Sequence, residues 1–128
     1  MFLALKVIDK KPLLDEAKSV VVYNERKVLM ALDHPFIAHM HYALETERYV
    51  VIALEYCCGG ELFYHLRQQR RMKEADARFY FVELLSALKA MHEKGIVYRD
   101  LKPENVILDA TGHVRLTDFG LSKFLTED

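Results

Sequence analysis

The sequence predicts an α+β fold in two parts that meet near Gly59-Gly60. Three observations carry this prediction. Strand-like apolar runs gather before residue 56 around one helical segment, the clearest amphipathic stripe follows the double glycine, and a short hairpin pattern comes after that stripe.

In chain order, Phe2 to Ile8 is a strand-like run ended by Asp9-Lys10-Lys11-Pro12, whose proline suits a helix start. From Leu13 to Leu32, Val21, Val22, Val28, Leu29 and Leu32 recur at helical spacing among charged residues, which predicts a helix with Glu25 in its middle. Asp33-His34-Pro35 stops it. Phe36 to Leu44 and Tyr49 to Glu55 read as two strands joined by the polar turn Glu45-Thr46-Glu47-Arg48. Gly59-Gly60 breaks the pattern before a short helix from about Glu61 to Gln69. Glu74 to Lys94 is predicted as a long helix with Ala77, Phe81, Leu84, Leu85, Leu88 and Met91 as its apolar stripe and Gly95 as its stop. Val106 to Leu108 and Val114 to Leu116, joined by Asp109-Ala110-Thr111-Gly112, form a hairpin pattern.

Composition narrows the function classes. The chain has 128 residues, enough for one hydrophobic core, and 18 Lys plus Arg against 19 Asp plus Glu leave a net charge of −1. That balance gives no electrostatic case for nucleic acid or an anionic membrane surface. The basic run Arg67-Gln68-Gln69-Arg70-Arg71 lacks interleaved aromatics and reads as a solvated turn. Cys57 and Cys58 are adjacent, which suits neither a zinc site nor a disulfide framework, and no basic neighbour is evident to activate a thiol. His39 and His41 alternate along a strand without a third ligand at recognisable spacing. No signal-peptide or membrane-spanning stretch is expected, so the default setting is cytoplasmic, or nuclear.

The chemistry-bearing residues cluster late. Tyr98-Arg99-Asp100-Leu101-Lys102-Pro103-Glu104-Asn105, followed by Asp118-Phe119-Gly120, resembles the catalytic loop and metal-binding DFG motif of protein kinases. The resemblance implies a partial, protein-kinase-like two-lobe fold. Its parts are three small-lobe strands with helix C, a hinge, helices D and E, the catalytic loop and a large-lobe β-hairpin. Residues 1–55 would belong to the small lobe, 56–60 to the hinge and 61–128 to the large lobe. It also implies ATP and Mg²⁺ as cofactors. Asn105 and Asp118 would supply hard oxygen ligands to Mg²⁺, and the hairpin between them would bring residues thirteen apart to one end of two paired strands. Asp100 would accept or orient the proton of the attacking hydroxyl, and Lys102 would neutralise charge on the transferred phosphate.

The same resemblance assigns earlier residues. Leu3-Ala4-Leu5-Lys6 is similar to the third-strand motif whose lysine binds the α- and β-phosphates, and Glu25 stands where its helix partner is placed. Val50 to Glu61 resembles the adenine-holding strand and hinge. Glu55 and Cys57 would offer backbone groups, Leu54 would be the gatekeeper, Ala4 and Ile107 would sandwich the base, Glu61 would reach a ribose hydroxyl, and Thr117 would line the site beside Asp118. Leu29, Met40, Tyr98 and Phe119 match an apolar stack that links the lobes. Lys102-Pro103-Glu104-Asn105 resembles serine/threonine kinases, and Gly59-Gly60-Glu61-Leu62-Phe63 with Leu116 to Lys123 looks most like the AGC group, which includes cyclic-nucleotide-dependent, ribosomal-S6-type and Akt-like members.

Protein substrates with basic residues before the target hydroxyl are therefore expected, with Glu61 and Glu104 matching positions that contact such residues. A Gly-rich loop, most of the activation segment and most of the large lobe have no counterpart in the 128 residues, so a fragment with an exposed sheet edge and near-background transfer by itself is expected. The alternative is a truncated, non-catalytic module that binds nucleotide or a partner. Retention of Lys6, Glu25, Asp100, Asn105 and Asp118 favours the enzyme.

Overall fold

The computed structural model describes residues 1–125. The first part is a three-stranded antiparallel sheet of β1 (Leu3–Asp9), β2 (Met40–Glu45) and β3 (Tyr49–Glu55) in the order β1-β3-β2. Helix α1 (Glu16–Ala31) crosses between β1 and β2. In β1 and β3, Ala4 pairs with Leu54 and Lys6 with Ile52, so these four side chains share one face. The β2–β3 turn closes where the Thr46 hydroxyl accepts from the Tyr49 N–H at 2.9 Å.

The helix expected from Leu13 to Leu32 is in fact two pieces. A 3₁₀ turn covers Lys11–Leu14 with Pro12 near its start, and α1 begins only at Glu16. Asp15 separates them because its extended backbone lets its side chain accept the Ala17 N–H at 3.0 Å, a capping bond that a continuous helix would forgo.

The strand expected over Phe36 to Leu44 is also divided. Met40–Glu45 pairs with β3, with an irregularity between Met40 and Tyr42. Phe36 to Ala38 instead lies along β7 (Val114–Leu116): Ala38 N–H donates to Leu116 O, and Leu116 N–H to Phe36 O, each at 2.9 Å. Ile37 and Ala38 are buried at that junction, and their burial outweighs continued pairing with β3.

The second part opens with β4 (Gly60–Glu61) and α2 (Leu62–Gln69), continues through α3 (Glu74–Glu93), β5 (Ile96–Val97) and a 3₁₀ turn over Pro103–Asn105, and closes with β6 (Val106–Leu108), β7 and β8 (Lys123–Phe124). β4, β6 and β7 form one small sheet, and β5 pairs with β8. Gly59 allows the close approach of the connecting segment to β6. Its N–H donates to Leu108 O at 2.8 Å, and a Cβ there would stand 2.6 Å from that oxygen.

Only part of the predicted α3 stripe packs: Leu84, Leu88 and Met91 turn to the core, and Ala77, Phe81 and Leu85 do not. Glu83, Ala87 and Met91 are buried, with Tyr80, Leu84 and Leu88 packed partly against the core, whereas Phe81 is 63% and Leu85 53% exposed. The helix carries apolar residues on two adjoining faces, and periodicity alone does not choose between them. Glu83 chooses: Oε1 accepts the Val114 N–H at 3.1 Å and Oε2 meets His113 Nδ1 at 2.6 Å, which seats the helix on β7. One core then runs through both parts, from Val28, Leu29 and Ile52 to Tyr98, Leu116 and Phe119.

Candidate active site

Lys6 and Glu25 meet. Lys6 Nζ stands 2.7 Å from Glu25 Oε2, the carboxylate side chain being only 5% exposed against 43% for the lysine. Cross-strand pairing explains the lysine's position, since the face it shares with Ile52 and Leu54 is the face that β1 and β3 turn toward α1. Glu25 lies on the buried side of α1 with Val28 and Leu29.

The loop residues converge around Asn105. Its Nδ2 donates to Asp100 O and to Asp100 Oδ2, both at 3.0 Å, and Lys102 Nζ lies 3.5 Å from Asp100 Oδ1. With the amide nitrogen engaged on Asp100, Oδ1 is the Asn105 oxygen left to face a cation. The Thr117 N–H donates to Asn105 O at 3.0 Å, so the hairpin does bring the start of β6 beside the residue preceding Asp118. Asp118 itself adopts φ 60°, a conformation open to Asp at modest cost, and Arg99 adopts φ 70°, which is strained for a long side chain. Hydrogen bonds hold both: Arg99 Nε donates to Leu121 O at 2.7 Å, the Tyr98 hydroxyl donates to Thr117 O, and Ser122 Oγ donates to Tyr98 O at 3.2 Å.

Tyr98 records the convergence electrostatically. Burial raises its hydroxyl pKa well above the ordinary value, and the negative charges of Asp118, Asp100 and Glu25 raise it further, opposed by the Asn105 amide. Charges from α1, the loop and the turn after β7 therefore all act on one side chain. Its ring packs edge-on against Phe119 at 5.5 Å, and both rings join Leu29 and Met40 in the core.

On the connecting segment, Glu55 N–H is engaged by His39 O at 2.9 Å, and Glu55 Oε1 accepts from Arg115 Nε at 3.1 Å. Ile107 pairs with both Glu61 and Arg115, so it turns to the face opposite the buried Val106 and Leu108. Ala4 and Glu61 are exposed, and Leu54 and Thr117 are half-buried. Burial and the nearby Glu55 push the Cys57 thiol up to about 11, which keeps it protonated and unreactive. His39 and His41 meet edge-on at 4.8 Å.

Sequence reasoning missed Arg115, which joins Glu55 to Asp109 through two ion pairs at 3.1 Å, and Glu83. Glu83 had a faint signal as an acidic residue between apolar neighbours on the helix. Arg115 had none, because its Glu55 partner lies sixty positions away.

Two oxygen donors, Asn105 Oδ1 and an Asp118 carboxylate, fit Mg²⁺, which favours hard oxygens and completes its shell with phosphate oxygens and water. Among the described residues no group of three His, Cys, Asp or Glu is arranged to hold a metal ion.

Residues 1–128 match the family described as "Protein kinase domain". This chain belongs to the protein kinase family. Among its relatives, serine/threonine-protein kinase Sgk1 of Homo sapiens is 47% identical over 124 residues, covering 96% of this chain and 29% of that protein. The Fundulus heteroclitus Sgk1 is 48% identical over 123 residues, 95% of this chain and 28% of the relative. Protein kinase 3 of Dictyostelium discoideum is 43% identical over 122 residues, 95% of this chain and 13% of its own length. The kinase chain thus spans less than a third of these relatives. The serine/threonine names of the two Sgk1 relatives agree with the Lys102-Pro103-Glu104-Asn105 wording of the loop. No helix among the described residues is long and apolar enough to cross a membrane.

Proposed function

We propose that this kinase chain carries the phosphoryl-transfer centre of an ATP-dependent protein serine/threonine kinase. The observations that carry the reading are Lys6 paired to Glu25 at 2.7 Å and Asn105 joined to Asp100 and to Thr117, the neighbour of Asp118, at 3.0 Å each.

In this reading Lys6, steadied by Glu25, neutralises the α- and β-phosphates of ATP. The backbone at Glu55 and Cys57 binds the adenine edge, with Ala4, Leu54 and Ile107 forming its apolar walls, Thr117 lining the site beside Asp118 and Glu61 within reach of the ribose. Bound Mg²⁺ would neutralise phosphate charge, held by Asn105 and Asp118. Asp100 orients the acceptor hydroxyl and takes its proton, while Lys102, 3.5 Å from Asp100, offsets negative charge on the group in transit. Exposed Glu61 and Glu104 support a preference for basic residues before the target Ser or Thr.

The test uses the complete protein that contains this segment. Transfer of the ATP γ-phosphate to an arginine-containing serine peptide should require Mg²⁺ and fall about a thousandfold in Asp118→Ala. Equal turnover by Asp118→Ala would refute the assignment, and equal use of an all-neutral peptide would refute the basic preference.

A further inference from the structure

We propose that the turn between α2 and α3 is a docking surface for acidic residues of the protein substrate, placed before the basic residues that Glu61 and Glu104 are proposed to receive. The inference rests on the proposed phosphoryl-transfer function and narrows its substrate class.

The turn is a cationic island in an anionic chain. Arg67, Arg70, Arg71 and Lys73 fall within seven positions, and no Asp or Glu occurs between Glu61 and Glu74. These four set apart, 14 Lys plus Arg face 19 Asp plus Glu, so the rest of the chain carries a charge of −5. All four residues are exposed, and among the described residues none takes part in an ion pair. The next carboxylate along the chain, Glu74, is engaged by Arg78 at 3.3 Å. Elsewhere Lys10 pairs with Glu45 at 2.7 Å and Arg48 with Asp9 at 3.6 Å. An anionic segment at the turn would therefore gain attraction without displacing an internal pair.

Helix capping does not account for these residues. Arg67 complements the C-terminal dipole of α2 and lies 5.7 Å from the centre of the Phe63 ring. Arg70, the residue that caps the helix, adopts φ 58°, a conformation glycine takes freely and arginine only at a cost. Arg71 and Lys73 lie beyond the helix end, where the dipole fades.

Position and charge select a short acidic segment of the substrate over other anions. The eight residues of α2 carry the chain about 12 Å from Glu61 to the turn, a span that an extended peptide covers in about four residues. A substrate whose basic residues lie at Glu61 thus reaches the turn with residues about four positions earlier. Nucleic acid or an anionic lipid surface would also meet the negative remainder of the chain, which repels it.

The test uses the complete protein and peptides that share one arginine-containing serine core. About four residues before the first arginine, one carries a run of glutamates and the other the same run of glutamines. The glutamate peptide should show a KM about three- to tenfold lower with kcat unchanged, as several exposed pairs acting together predict, and about 0.5 M salt should erase the difference. Arg70→Glu/Arg71→Glu should abolish the preference and Arg70→Gln/Arg71→Gln should reduce it, with transfer to the core peptide alone unchanged. Equal KM values in the wild type would overturn the inference. So would a preference that survives both double variants, or one lost equally in Lys11→Glu/Lys18→Glu, exposed cations away from the turn, since that marks net charge alone. Binding of the wild type but not of Arg70→Glu/Arg71→Glu to vesicles of phosphatidylserine and phosphatidylcholine, without discrimination between the peptides, would overturn it in favour of a lipid surface. The core peptide carries no acidic run, so absent transfer to it would refute the proposed function itself, and the docking of substrate with it.

Discussion

Strand β1 and the β6–β7 hairpin are both short and apolar, and both carry or flank candidate site residues, yet they are embedded differently. β1 is an edge strand whose residues Ala4 to Val7 are all exposed, with Leu5 at 63%. Each hairpin strand alternates buried, half-buried, buried, sealed by α3, β4 and the Phe36 to Ala38 segment. The Asn105 and Asp118 side of the site thus stands on packed core, whereas Lys6 is located by one strand pairing and one ion pair. A site built this way has a rigid floor and an adjustable roof.

The sharpest way to break this contrast is one apolar truncation on each side. Leu116→Ala, at a fully buried position, should cost about 2–5 kcal/mol of unfolding free energy, whereas Leu5→Ala should stay within about 0.5 kcal/mol. Comparable losses in urea unfolding would mean that β1 is as embedded as the hairpin. Next in size is Glu83→Ala, which strips a buried acceptor from the Val114 N–H and should cost about 1–3 kcal/mol, with Glu83→Gln keeping an acceptor and losing less. Identical midpoints for the two variants would show that the Val114 bond contributes nothing.

Lys6→Met should cost less again, under about 1 kcal/mol, because the lysine is nearly half exposed and solvent screens its pair with Glu25. A loss above 2 kcal/mol in the same unfolding assay, on the order expected for a fully buried pair, would contradict this.

The smallest effect concerns pH. Burial pushes the Asp109 carboxyl up, but hydrogen bonds from the Thr111 hydroxyl and the His113 and Thr111 N–H groups, with Arg115 nearby, together hold it below the usual carboxylate range. A lowered folded pKa adds stability that is whole above the unfolded value of about 4 and drains away as pH falls through the folded value. Unfolding midpoints of the wild type should therefore decline more steeply below about pH 4 than those of Asp109→Asn. Parallel slopes would remove Asp109 from the acid response.

Much of this was legible in order along the chain. Each long element was visible in its periodicity, the hairpin in Asp109-Ala110-Thr111-Gly112, and the site in the loop from Tyr98 to Asn105 with Asp118 beyond it. The break at Asp15 was missed because a capping side chain competes with a helix that propensity alone would continue. Phe36 to Ala38 was misjudged because an apolar run does not say which sheet will cover it, and two-residue strands such as β4, β5 and β8 are too short to show any period.

By itself, then, the sequence determined the family and most of the long elements and marked the candidate site residues, since those depend on residue type and near-neighbour spacing. Tertiary structure alone decided which face of α3 turns inward, where Phe36 to Ala38 pairs, and that Asn24 and Arg115 bind groups 98 and 60 positions away. Such contacts arise when burial brings distant backbone carbonyls and carboxylates within reach of a donor, and no local pattern in the chain encodes that distance.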